Sequence, residues 1–401
     1  MGRSRRAPPA PEAALNGARR LAALATLVAA AAAASAACAS PPDPPATGRV
    51  ATKAGVSLVA TTFVSGLEVP WSLAFTSPDR LLVTERPGRV RVVERGTLRE
   101  RPILVLEDVE AKGEIGLEGL TLAPDYARSR ELYLAYGYDT REGQRVRVVR
   151  YRDDGDALSQ RHMIIEGIPA AHNHAGCRLR FGPDGMLYVT TGDATTREIA
   201  QDMKSLGGKT LRLRGDGSIP GDNPFPGSPV FSYGHRNSQG LDWDPVSKLQ
   251  FQTEHGPSGF DGPGGGDEVN IVEAGKNYGW PLVHHRETRA GTVPPLLEYT
   301  PAVAPSGASF STGALLPSFR NDFFFACLRG ERLIRVRLDP SDRRRVLETE
   351  DLFRGIYGRL RDVVTGPDGA LYVATSNRDG RGDVRRGDDR ILRIVEAPAG
   401  R

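Results

Sequence analysis

The chain has 401 residues, 39% hydrophobic and 25% charged, with 46 Gly and 30 Pro. That composition excludes a disordered or collagenous chain, and its wealth of turn formers argues against a helix bundle or coiled coil. The net charge of +4 arises at the start: the first 38 residues hold Arg3, Arg5, Arg6, Arg19 and Arg20 against Glu12, leaving 48 basic and 48 acidic residues afterwards. No basic footprint for nucleic acid remains.

The first element is a targeting segment. Residues 3 to 20 are cationic, and Leu21 to Ala37 form an uncharged, Ala-rich run ending in small side chains, the anatomy of a secretory signal peptide. Residues 1–38 are therefore read as an export signal, 39–55 as a Pro-rich linker and 56–398 as the folded domain. Cys38 follows Ala36 and Ala37 as a lipid-modified cysteine would, and Pro41-Pro42-Asp43-Pro44-Pro45 reads as a tether. Ser35 stands where a bacterial lipobox usually has Leu, so a plain cleaved signal is the alternative. The domain is expected to be exported, periplasmic or lipid-anchored, touching membrane only through Cys38, as a monomer or homodimer. Cys177 and Cys327 are too few for a disulfide scaffold, although one bridge between them is permitted.

A Pro or Asp-Pro turn followed by an alternating apolar strand occurs six times. The copies begin at Pro78, Pro124, Pro183, Asp244, Pro317 and Pro367, and two share the phrase Pro-Asp-Gly-x-Leu-Tyr-Val. Spacings of about 46 to 72 residues suit one four-stranded sheet per copy. The pattern predicts an all-β, six-bladed β-propeller of four-stranded antiparallel sheets. Propellers bind ligands at one mouth of the central channel, so the chemistry should be scattered along the sequence.

Four polar clusters fit that expectation. His172-Asn173-His174 precedes the third copy and Thr191-Gly192-Asp193 follows its strand, a pairing able to form a general base. Two ordinary loop histidines are the bland alternative, and a zinc site there would need a third ligand. In Tyr233-Gly234-His235-Arg236-Asn237-Ser238-Gln239-Gly240-Leu241, dense in polar donors, Arg236 offers a planar fork for a carboxylate or developing oxyanion. Glu254-His255-Gly256-Pro257, a Gly-rich excursion to Asp267-Glu268, and Gly275 to Pro281 supply oxygen-rich turns suited to calcium. Last come Ser306-Gly307, Arg329, and Arg359 with Arg361, which alternation puts on one strand face toward an anion.

Taken in order, Tyr-Gly-His-Arg-Asn, Glu-His-Gly-Pro, Asp-Glu-Val-Asn, Gly-Lys-Asn-Tyr-Gly-Trp-Pro and Arg-Asp-Val resemble the glucose/sorbosone dehydrogenase family, from about Val69 to Ile394. That family includes the bacterial aldose sugar dehydrogenases, which use pyrroloquinoline quinone (PQQ). The resemblance implies oxidation of the anomeric hydroxyl of aldose sugars to lactones, with hydride passed to PQQ, Ca2+ assisting and an unnamed electron acceptor. It puts the base on His174, the orienting carboxylate on Asp193 and the charge-stabilising group on Arg236. Cofactor contacts fall on Asn237, His255, Asp267, Arg329, Arg359 and Arg361, and a substrate-side polar position on Glu114. Calcium would rest on the carbonyls of Gly256 and Pro257, and a second, structural calcium on Glu268 and Tyr278. The chain departs from the family at Cys177, commonly Gly or Ser, and at Arg329, where many members carry Lys. A calcium-dependent lactonase, which would not need Arg359 and Arg361, and a non-catalytic binding propeller are the competing readings.

Overall fold

The computed structural model describes residues 1–2 and 43–398, so nearly all of the segment read as an export signal, with Cys38, lies outside the described residues. From Asp43 onward the chain forms six antiparallel sheets. Their innermost strands are Pro70–Ser77, Leu117–Leu122, Gly176–Phe181, Ser238–Trp243, Pro305–Phe310 and Leu360–Thr365. Each packs on the next and the last packs on the first, closing a six-bladed propeller.

The repeated phrase is the hairpin from each innermost strand to the second strand of its blade. Asp184 accepts the Met186 N–H at 3.1 Å and the Tyr188 hydroxyl at 3.0 Å, and Asp368 repeats both contacts with Ala370 and Tyr372. The following Gly185 and Gly369 sit at φ +75° and +81°, where a side chain would strain the turn.

Blade six is completed from both ends of the domain. Ser57–Ser65 pairs with Arg390–Glu396, and Thr47–Ala51 adds an outer fifth strand. That strand falls within the stretch expected to be linker, so the chain joins the sheet at Thr47 rather than at residue 56. Blade one also gains a short strand, Leu104–Val105, on Arg89–Glu94.

Apolar clusters fill five of the six seams between blades. The seam between blades three and four is instead laced with polar contacts. His235, fully buried, bridges Ser232 at 2.8 Å and Glu254 at 2.8 Å, while Thr210 donates to Gln252 at 2.9 Å. The two cysteines lie in different blades as free, buried thiols, so the permitted bridge is not formed.

All six innermost strands shift register near their starts. Such bulges re-aim side chains. At this level Trp71, Glu118, Arg178, Gln239, Ser306 and Arg361 are buried together under one mouth of the channel.

Candidate active site

The Pro and Asp turns close one end of the propeller, so the starts of the innermost strands and the ends of the second strands meet at the other. That end holds a cavity of about 560 Å³. Its wall comes from both kinds of segment: Glu114, His174, Arg236, Ala304 and Arg359 enter innermost strands, while His255, Arg329 and Asp379 leave second strands.

His174 and Asp193 come from one blade, at the entry of its first strand and the exit of its second. The ring Nδ1 lies 2.8 Å from Asp193 Oδ1. Opposite a carboxylate, Nδ1 carries the proton and Nε2 keeps a lone pair, the tautomer a base needs. Asp193 is buried and also accepts the Trp280 indole N–H at 2.8 Å and the Thr195 N–H at 2.9 Å. His174 itself sits at φ +62°, a conformation uncommon without Gly and one that clusters at functional sites.

The arginines form the electropositive wall. Arg236 is fixed by Asp261 at 2.7 Å, by Ser258 at 3.0 Å and by the His255 carbonyl at 3.2 Å. Arg359 pairs with Asp379 at 2.8 Å. Arg361 donates to Gln239 at 2.6 Å, yet its Nε is buried without a partner, and burial draws its guanidinium down to about 10. Arg329 stands exposed at the rim. His255 Nε2 is likewise buried and unpartnered; burial, with Arg236, Arg361 and His174 nearby, holds the ring down to about 3 and hence neutral. Arg236, Arg329, Arg359 and Arg361 thus line one cavity, a setting that suits a polyanionic group such as PQQ.

Glu114 donates no proton at ordinary pH. Burial opposes its ionisation, but Arg381, and the His255 ring where acid protonates it, hold the carboxyl down to about 2. It accepts the His174 backbone N–H at 3.2 Å and pairs with Arg381 at 2.7 Å. Asn237 is not brought to the cavity wall. It lies beneath, accepting the Gly176 N–H at 3.1 Å and donating to Glu114 at 3.4 Å. Asp267 reaches the wall, but its carboxylate accepts backbone N–H groups of Gly256, Val303 and Ala304 at 2.6 to 2.8 Å, stapling two loops together.

Gly256 and Pro257 line the cavity. A Cβ at Gly256 would overlap the carbonyl oxygens of Gly265 and Gly266, so only Gly lets these backbones converge. Among the described residues no group of three or more His, Cys, Asp or Glu side chains is placed to hold a metal. A calcium here would therefore rest mainly on backbone oxygens, a donor set this ion accepts. Glu268 and Tyr278 share a separate cavity of about 10 Å³ with Glu254, the size of one bound water or ion. Burial and the neighbouring Glu254 push the Glu268 carboxyl well above its ordinary range, and Asn270 Oδ1 on the same strand is buried without a partner. Two carboxyls, Glu254 and Glu268, crowded onto one small cavity fit a hard cation. The Tyr278 hydroxyl is turned away, donating to the Ile271 carbonyl at 2.6 Å, which leaves that residue's backbone as the available donor.

Several functional residues escape a reading of the sequence. Arg86, Phe260, Asp379 and Arg381 all line the cavity. Asp379 could have been found from the repeat, because it follows a second strand as Asp193 and Arg329 do. His235 and Glu254, inside the quoted phrases, are architectural: Glu254 accepts from His235, from the Arg236 N–H and from Ser238.

Comparison with known proteins bears on the family to which this fold and cavity belong. The sequence model of the Glucose / Sorbosone dehydrogenase family matches residues 67–392. Aldose sugar dehydrogenase YliI of Escherichia coli is 35% identical over 339 residues, 78% of this chain and 89% of that protein. A crystal structure of a putative oxidoreductase (glucose dehydrogenase) from Thermus thermophilus superposes with a TM-score of 0.77 at 44% identity, covering 84% of this chain and all of the other. The PQQ-bound aldose sugar dehydrogenase of Streptomyces coelicolor gives a TM-score of 0.75 at 36% identity, over 88% of this chain and all of that one. With the family match spanning most of the propeller and full-length relatives of the same fold, the chain belongs to the glucose/sorbosone dehydrogenase family.

Proposed function

We propose that this protein is an exported, PQQ-dependent dehydrogenase that oxidises the anomeric hydroxyl of aldose sugars to lactones. The observation that carries the reading is the joining of His174–Asp193 with Arg236, Arg359 and Arg361 around one cavity. A lactonase would have no use for the paired late arginines, and a binding module none for an oriented imidazole.

The residues divide the labour. Asp193 fixes the His174 proton on Nδ1, so Nε2 takes the proton of the anomeric hydroxyl. PQQ, when bound, supplies the two-electron acceptor for the hydride leaving the same carbon. Arg359, Arg361 and Arg329 hold its carboxylates, and Arg236, kept in place by Asp261, stabilises negative charge that grows during transfer. His255, neutral at working pH, completes the wall. Glu114 faces the substrate side beside the His174 backbone. Calcium on the Gly256 and Pro257 carbonyls would add positive charge to the same site, and a second ion by Glu268 would brace the fold. The acceptor that reoxidises the cofactor is a separate partner.

The test is aldose-dependent reduction of an artificial electron dye by residues 39–401, with and without PQQ and calcium. Activity only with both supports the proposal. Its absence across a broad aldose panel under full loading overturns it.

A further inference from the structure

Phe260 is the anomaly of the cavity. It is 66% exposed, although an aromatic ring of that size is normally buried, and it sits on a loop whose neighbours are Gly259, Asp261 and Gly262. Its ring lies nearly parallel to the His174 imidazole, 24° between planes and 6.0 Å between centroids. Apart from Pro257, Ala302, Ala304 and Leu328 the wall is charged, polar or glycine, and among the described residues lining it Phe260 is the one phenyl ring.

The loop is also held. Asp261 Oδ2 accepts Arg236 Nε at 2.7 Å, while its Oδ1 accepts the Ser258 N–H at 2.9 Å. Ser258 in turn accepts Arg236 Nη2 at 3.0 Å, Arg197 donates to the Asp261 carbonyl at 3.3 Å, and the Pro257 carbonyl accepts the Gly265 N–H at 3.2 Å. The ring is thereby set at a fixed height over the cavity by the same guanidinium that faces the reacting groups.

An aldopyranose is a two-sided object. Its hydroxyls need hydrogen bonds, and its ring faces, when substituents are equatorial, present C–H bonds of slight positive charge. Those bonds are attracted by the negative face of an aromatic ring. We infer that Phe260 is a specificity-determining platform that packs on the C–H face of an aldopyranose bound at His174, with Asp261 as its positioning residue through Arg236. The inference rests on the dehydrogenase reading and names the substrate class: pyranoses whose ring face toward Phe260 carries no axial hydroxyl.

The experiment compares wild type, Phe260→Ala, Phe260→Trp and Asp261→Asn, each loaded with PQQ and calcium, on glucose, xylose and galactose. Affinity for 1,5-anhydroglucitol, which lacks the anomeric hydroxyl and cannot turn over, is measured in parallel by calorimetry. Phe260→Ala is expected to raise KM for the best aldose roughly three- to tenfold and to weaken the analogue by the same factor. Its kcat should stay within about twofold and its preference among the three sugars should narrow, with Phe260→Trp near wild type. Asp261→Asn should move KM in the same direction. Unchanged KM and analogue affinity in Phe260→Ala, or a fall in kcat alone, would overturn the platform while leaving the dehydrogenase reading intact. A wild-type enzyme that oxidises no aldose would overturn both.

Discussion

Replacing Asp193 by Asn keeps the shape of the side chain and removes what the structure uses it for. One carboxylate oxygen accepts from His174 Nδ1 and from the Thr195 N–H, and the other accepts the Trp280 indole N–H. Asn has one acceptor and one donor group. With its oxygen toward His174 and Thr195, its NH2 meets the Trp280 N–H, donor against donor in a buried site. Turned the other way, it meets two donors, or one and an imidazole forced into the opposite tautomer. The first arrangement forfeits one contact; the second forfeits two, or one together with the tautomer that the base needs. The stability loss expected is therefore that of one buried unsatisfied pair, about 1–3 kcal/mol. Without the carboxylate the imidazolium loses its stabilising charge, and kcat should fall by roughly 10²- to 10⁴-fold, the usual contribution of a positioned base. Urea unfolding and steady-state dye reduction at saturating PQQ measure the two effects separately. A double variant with Trp280→Phe removes the opposing N–H, so it should recover part of the stability and none of the rate. An Asp193→Asn enzyme with kcat within about threefold of wild type, or a double variant that regains activity, would refute the argument.

Two further substitutions test other parts of the account. Burial pushes the Glu118 carboxyl up to about 8 from its ordinary 4.5, against the pull of Cys177 and Arg361. It stays protonated in the folded state while the unfolded chain ionises, so its stabilisation is complete below about pH 4.5 and is lost as pH rises through 8. Glu118→Gln cannot ionise and should gain up to about 5 kcal/mol over wild type at pH 9. Denaturant unfolding at pH 9 and below 4.5 checks this, and an equal difference at both would contradict it. Gly256→Ala drives a methyl group into the carbonyls of Gly265 and Gly266, and overpacking of this kind should cost about 1–3 kcal/mol. An unchanged thermal midpoint would show that the loop has room the structure denies.

The propeller was legible because its signal is local and repeated. A Pro marks the turn of each inner hairpin, and in the two Pro-Asp-Gly turns Asp184 and Asp368 make the same contacts in the same order. His174 and Asp193 could be paired for a similar reason, since one hairpin separates them. Thr47–Ala51 was not legible as a strand: five residues with two small side chains beside a Pro-rich stretch carry little alternation. The carboxylates that set the arginines in place were also hidden. Arg381 lies 267 positions from Glu114 and meets it only when the ring closes blade six against blade one and its neighbours. Asp261 looked like part of a Gly-rich loop until the fold laid it on Arg236. His235 read as a polar cluster member, yet its burial between Ser232 and Glu254 makes it the filling of a blade seam.

The most direct measurement separates holding the cofactor from using it. PQQ is titrated, with calcium present, into wild type and His174→Ala while absorbance reports binding and dye reduction reports turnover on the same samples. The account predicts one equivalent bound by both proteins with similar affinity, and aldose oxidation in wild type alone. Failure of wild type to bind PQQ, or undiminished oxidation by His174→Ala, would contradict it.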